Sequence, residues 1–260
     1  MNKQVNYISI LLLAGVSILA SCTKNTDGGD DGDFKLSYGD SIIYLQPTAD
    51  DYIVHPLHDA PGTYEGFPDG IEIDENTGAI NVSDSETGLR YRITHTSPSG
   101  KQTETLVVLS GITFTDKYYF LSQSDSIAFP VYNADKNREL PLQGSVFDEG
   151  EIANTGGCSV RTTNGQINLA ETIRNGVFGD VPENDKRETF EIKYRINDRS
   201  GKAENKLKVL LYYYETINDV PEDVLETLRE REEEGVFLRT SSALGREAKP
   251  RPPCVIIIAN

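Results

Sequence analysis

The chain has 260 residues, three cysteines, thirteen tyrosines and no tryptophan, and 41 acidic against 25 basic residues give a formal charge of −16. An acidic surplus of that size repels nucleic acid and anionic membrane surfaces, so neither is an expected partner. The length suits one large domain or two of about 100 residues each.

At the N-terminus, Lys3 gives a positive start and the 13 residues from Ile8 to Ala20 are all apolar or small. Spanning a bilayer core takes roughly 20 apolar residues, so this run reads as the leader of an exported protein. It ends in Leu19-Ala20-Ser21-Cys22, which resembles a bacterial lipobox. The resemblance implies that residues 1–21 are a lipoprotein signal peptide and that Cys22 is acylated, with palmitate among its chains, as the first residue of the mature protein. Two or more acyl chains anchor stably where one binds marginally. The membrane is then a partner only through lipid on Cys22.

Residues 22–33 contain Asp27, Asp30, Asp31 and Asp33 with three glycines, and no apolar residue follows Cys22 before Phe34. Such a stretch cannot bury a core and reads as a solvated tether. Acidic residues close behind a lipidated cysteine resemble the surface-export signal of Bacteroidetes lipoproteins. This implies an outer-membrane protein displayed on the cell surface, with a periplasm-facing anchor as the alternative.

Beyond the tether the pattern is all-β. "GIEID" (70–74) and "AINV" (79–82) alternate apolar and polar residues around the turn Asn76-Thr77-Gly78, where Gly78 supplies a positive φ. "LRYRITHT" (89–96) places Leu89, Tyr91 and Ile93 on the face opposite Arg90 and Arg92. The Ser97–Gly100 turn follows, then "QTETLVVLSGITF" (102–114) as a further strand.

The pattern then returns. Asp40-Ser41-Ile42, Ala49-Asp50 and Pro56-Leu57 recur as Asp125-Ser126-Ile127, Ala134-Asp135 and Pro141-Leu142. "NTGAINV" (76–82) recurs as "TNGQINL" (163–169), "YRI" at Tyr91 as "YRI" at Tyr194, and "LVVL" (106–109) as "LKVL" (207–210). The order is kept, and an insertion lies between Leu169 and Tyr194, where "NGVFGDVPENDK" (175–186) reads as a loop. Short strands at this spacing suggest β-sandwiches. The expected organisation is a first domain over 34–116, a second over 117–217, and a helix and tail over 218–260.

The stretch Phe67 to Leu109 resembles the Ig-like and cadherin-like repeats of bacterial surface proteins through Pro68, Gly70, Asp74, Thr77, Gly78, Ile80 and Gly100. The second copy departs from it, with Thr163-Asn164-Gly165 in the turn. The resemblance implies two tandem two-sheet sandwiches used as a stalk or binding module. Calcium belongs to cadherins, but no Asp-x-Asn-Asp motif stands near Asp116–Gln123, so no metal or cofactor is expected.

In the tail, Asp219-Val-Pro-Glu222 reads as an N-cap and capping box, Val224, Leu225 and Leu228 form an apolar stripe, and Gly235 could close the helix. A Pro-rich connection leads to "CVIIIAN" (254–260), a strand that must be covered to avoid aggregation. It reads as a final strand of the second domain, or as one donated to a partner.

Candidate chemistry is sparse. Cys158 and Cys254 form a disulfide or stay as two buried thiols; with no CxxC and no nearby histidine they do not suggest a metal site. Ser41 and Ser126, in Asp-Ser-apolar triplets, resemble Bacteroidetes O-glycosylation signals. His55, His58 and His95 read as solvated or locally bonded. The expected function is a noncatalytic, lipid-anchored module that binds a glycan or surface protein, or spaces such a binder from the membrane. Two alternatives are a subunit of an extracellular assembly such as a fimbrium, and a glycan hydrolase with Asp180, Glu183 and Asp185 in the Ile173–Arg187 loop.

Overall fold

A computed structural model describes residues 34–234 and 253–260. The leader, Cys22, the tether and Gly235 lie outside the described residues, and for residues 230–234 and 254 only the backbone is described. The protein is mainly β, with 34% of residues in strands and 12% in helices.

The first half contains β1 (Ile42–Ile43), β2 (Ile53–Val54), β3 (Thr63–Phe67), β4 (Glu72–Ile73), β5 (Ile80–Asn81), β6 (Arg90–Thr96) and β7 (Gln102–Leu109). They make a four-stranded sheet, β1-β7-β6-β3, and a three-stranded sheet, β2-β5-β4. Pairing is antiparallel except between β1 and β7. Along β6 the expected alternation holds: Tyr91, Ile93 and His95 are buried, and Arg90, Arg92 and Thr94 are not. The inward set joins Leu36, Tyr38, Ile43, Tyr64, Ile80, Val107 and Leu109 in one apolar cluster. Each large apolar side chain so buried contributes roughly 1.5–3 kcal/mol.

Both expected turns are present. Gly100 donates its N–H to the Ser97 carbonyl at 2.9 Å. The Asp74 carboxylate accepts the N–H groups of Asn76 and Thr77 at 2.9 and 2.8 Å and the Thr77 hydroxyl at 3.0 Å. Those bonds hold the carboxyl below its usual range. Gly78 closes this turn at φ +69°, and Gly165 closes its counterpart at φ +71°. A Cβ at Gly78 would lie 2.6 Å from the Tyr64 ring, and one at Gly165 would lie 2.9 Å from Phe147. Each turn thus needs glycine twice over, for its backbone angle and for the aromatic ring against it.

The second half contains β8 (Ile112–Phe114), β9 (Lys117–Phe120), β10 (Ile127–Ala128), β11 (Pro130–Tyr132), β12 (Val146–Phe147), α1 (Ile152–Thr155), β13 (Ile167–Asn168), α2 (Leu169–Arg174), β14 (Lys186–Arg195), β15 (Asn205–Tyr214), α3 (Glu222–Glu234) and β16 (Cys254–Ile258). A five-stranded sheet runs β12-β14-β15-β16-β9, with the two-stranded pairs β10-β13 and β11-β8 beside it. The strand β16 is internal and parallel to both neighbours, Leu211 to Tyr214 on one side and Lys117 to Phe120 on the other. Its Val255 and Ile257 enter the main cluster of this half, while Ile256 and Ile258 meet Val224 and partly buried Leu225 and Leu228 of α3. A strand buried on both faces accounts for four consecutive apolar residues. The segment that must be covered is covered within its own chain.

Four details differ from the sequence reading. The stretch 102–114 is two strands, broken at Ser110-Gly111; β7 serves the first cluster, whereas Ile112 and Phe114 serve the second. The passage between clusters therefore falls a few residues ahead of 116. A short helix the sequence reading did not include, α2, precedes the 175–186 loop and is capped by the Asn168 side chain accepting the Glu171 N–H at 3.0 Å. The Asp219 carboxylate does not cap α3; it accepts from the backbone N–H and hydroxyl of Thr216, one turn earlier. Two of the sequence matches also fall on different pairings. Ile42 pairs in parallel with Val108, whereas Ile127 pairs antiparallel with Asn168. Buried Val107 answers in phase to buried Val209, not to exposed Lys208, so "LVVL" and "LKVL" are one residue out of phase. A one-residue slip exchanges the two faces of a strand. The "AINV" match keeps its pairing: Ile53 and Val54 face Asn81 and Ile80 as Ile127 and Ala128 face Asn168 and Ile167.

Candidate functional site

An open cleft of about 390 Å³ lies where β1 and β2 meet the turn between β14 and β15. Its walls include Tyr38, Asp40, Ile42, Tyr44, Gln46, Tyr52 and Val54 from the first half and Arg199 from the second. Asp40 precedes β1, Tyr44 and Gln46 follow it, and Tyr52 and Val54 belong to or adjoin β2. Arg199 arrives from a hairpin turn more than 150 positions away in sequence.

The turn carrying Arg199 is held firmly. The Asp198 carboxylate accepts the Tyr132 hydroxyl at 2.6 Å, the Ser110 hydroxyl at 3.2 Å and the Ser200 N–H at 2.8 Å. Burial and the Asp198 carboxylate push the Tyr132 phenol well above its ordinary range. The Arg199 guanidinium donates to Asp40 at 2.9 Å and lies 5.1 Å from the centre of the Tyr44 ring. The Gln46 amide donates to the carbonyls of Tyr44 and Arg199 at 3.0 and 3.1 Å. Behind the cleft, the Tyr38 hydroxyl donates to the Gly78 carbonyl at 2.6 Å, and burial together with neighbouring Tyr64 raises its pKa strongly.

A second set of bonds joins the halves near the cleft. The Tyr194 hydroxyl lies 3.0 Å from the Thr87 hydroxyl and accepts the Ile112 N–H at 3.2 Å, while Thr87 donates to the Asn205 side chain at 3.1 Å. Burial pushes the Tyr194 phenol up to about 12. The bonds of this polar seam, with those of Asp198 to Tyr132 and Ser110, tie the backbone that carries Arg199 to its neighbours.

The residues singled out in the sequence lie elsewhere. Ser41 is exposed between two cleft residues, and Ser126 is half-buried; their carbonyls accept the N–H groups of Val108 and Leu169, each at 2.8 Å. Cys158 is a free, fully buried thiol and not half of a disulfide. Burial, with a smaller push from Asp148, raises it to about 12. It packs in the cluster that takes Val255 and Ile257 of β16. His55 and His58 are exposed; His95 is buried between Phe34 and Tyr64, its Nε2 3.0 Å from the Pro61 carbonyl. Among the described residues no three histidine, cysteine or carboxylate side chains come together as a metal site would need. In the Ile173–Arg187 stretch, Asp185 is taken up by Tyr214 and Arg187, at 2.6 and 2.7 Å, and Glu183 pairs with Lys186 at 3.5 Å. Burial raises the Asp185 pKa, but those two partners outweigh it and leave the carboxyl below its usual range.

Tyr44, Tyr52 and Arg199 escape sequence reasoning because no local motif links them; only the packing of two distant turns does. Searches against protein-family models and against curated proteins find no match to this chain.

Proposed function

We propose that the protein is a noncatalytic, lipid-anchored cell-envelope protein, exposed on the outer-membrane surface, whose two tandem Ig-like halves form a binding module for a glycan or surface protein. The leader and Cys22 support the anchor, and the acidic tether supports display. The observation that carries the binding role is the cleft at the junction, built from both halves and braced by Asp198 and Tyr194. The alternating strands and glycine turns of both halves support the tandem reading. The assembly reading rests on Val255–Ile258, which here pairs along both edges with strands of its own chain.

The anchor is tested by feeding cells an alkyne palmitate analogue: the wild-type chain takes the label, and Cys22→Ala does not. Protease added to intact cells degrades a displayed protein and spares a periplasmic one. Photo-crosslinking from the cleft rim on intact cells captures a ligand if the protein is a binding module. Retention of label by Cys22→Ala, or full protection from protease together with no captured ligand, defeats the proposal.

A further inference from the structure

The cleft is neutral within a strongly acidic protein. Its two charged side chains, Asp40 and Arg199, are paired with each other at 2.9 Å. An anionic ligand would meet Asp40 and the −16 formal charge of the chain, and the attraction of a cationic one to Asp40 would be offset by Arg199 beside it. A wholly apolar ligand would strip water from an ion pair and several phenols without replacing its hydrogen bonds. The hydroxyls of Tyr44 and Tyr52 have no hydrogen-bond partner among the described residues. The guanidinium keeps donors beyond the one spent on Asp40, and the carboxylate keeps lone pairs. Beside these polar groups stand the Tyr52 ring and the aliphatic Ile42 and Val54.

A ligand that satisfies both kinds of surface is uncharged, carries many hydroxyls and has apolar C–H faces. We infer that this cleft binds a neutral saccharide, with Tyr52 as the ring it stacks on and Asp40, Tyr44 and Arg199 as hydrogen-bond partners for its hydroxyls. The volume of about 390 Å³ is near the small end of ligand pockets, roughly 300–1,000 Å³. This inference rests on the reading of the protein as a binding module, and it chooses between that reading's two ligand classes.

The test is calorimetric titration of the full chain with neutral oligosaccharides of glucose, mannose, galactose and xylose, and with sulfated and uronic-acid oligosaccharides as charged probes. At least one neutral probe is expected to bind, and Tyr52→Ala and Arg199→Gln are each expected to weaken it tenfold or more. Tyr52→Phe keeps the ring and should lose less. Arg199 and Asp40 are well exposed, at 69% and 64%, so Arg199→Gln should leave the thermal midpoint in place and isolate binding from folding. Neutral binding that is unchanged in all three variants overturns the site while leaving the binding-module reading standing. Binding of charged probes alone, or of no saccharide, overturns the ligand class; the crosslinking experiment then decides the module reading by itself.

Discussion

Replacing Tyr194 with phenylalanine should loosen the bond between the two halves. The Thr87 hydroxyl has one proton, given to the Asn205 side chain, so the Tyr194 phenol donates to Thr87 and accepts from the Ile112 N–H. Ile112 is fully buried and Tyr194 is 1% exposed. Removing the hydroxyl loses one donated bond, a net of about 1 kcal/mol, and strands a buried N–H at about 1–3 kcal/mol. The expected loss is about 2–4 kcal/mol, or about 4–16 °C in thermal midpoint for a chain of this size. Tyr91 occupies the matching place in the first half and is also fully buried, but its hydroxyl makes a single bond, to the Glu86 carbonyl at 2.8 Å. Tyr91→Phe should therefore cost only about 1 kcal/mol. Urea unfolding of both variants, with an unchanged slope, measures the difference. A Tyr194→Phe loss within about 0.5 kcal/mol of zero, or below that of Tyr91→Phe, would refute the seam as a stabilising element.

Four further outcomes follow from the packing. Gly78→Ala combines a left-handed residue with a clash against Tyr64 and should cost about 2–4 kcal/mol by the same urea assay. Ile257→Ala empties a fully buried site between β15 and β9 and should cost about 2–5 kcal/mol; a loss under about 1 kcal/mol would mean that β16 is not an internal strand. With its pKa raised to about 12, Cys158 should resist iodoacetamide at pH 8 while folded, yet be alkylated in denaturant without any reductant, as peptide mass spectrometry would report. Failure to alkylate in denaturant would reveal a disulfide. Burial also raises Tyr119 and Tyr194 to about 12. The unfolded chain releases these protons near pH 10 and the folded chain does not, so the contribution of these two tyrosines is constant below pH 10 and is lost between pH 10 and 12. The loss is about 1.4 kcal/mol per pH unit for each tyrosine, and urea midpoints that rise above pH 10 would contradict it.

Local chemistry alone determined much of this protein. The alternation of Leu89, Tyr91 and Ile93 chose the face of β6, and Asn-Thr-Gly and Ser-Pro-Ser-Gly chose their turns, because side-chain period and backbone sterics act over only a few residues. The apolar stripe of α3 was legible for the same reason. Tertiary structure decided everything that depends on distant partners. It placed β16 between β15 and β9, since a run of four apolar residues shows that two faces are covered but not which strands flank it. It moved the passage between halves to Ser110-Gly111, because Ile112 and Phe114 look alike to either core. It turned the "LVVL" match out of phase, a one-residue slip invisible to composition. It also brought Arg199 onto Asp40 and Tyr44, and so made a neutral cleft out of residues that carry no signal until the chain has folded.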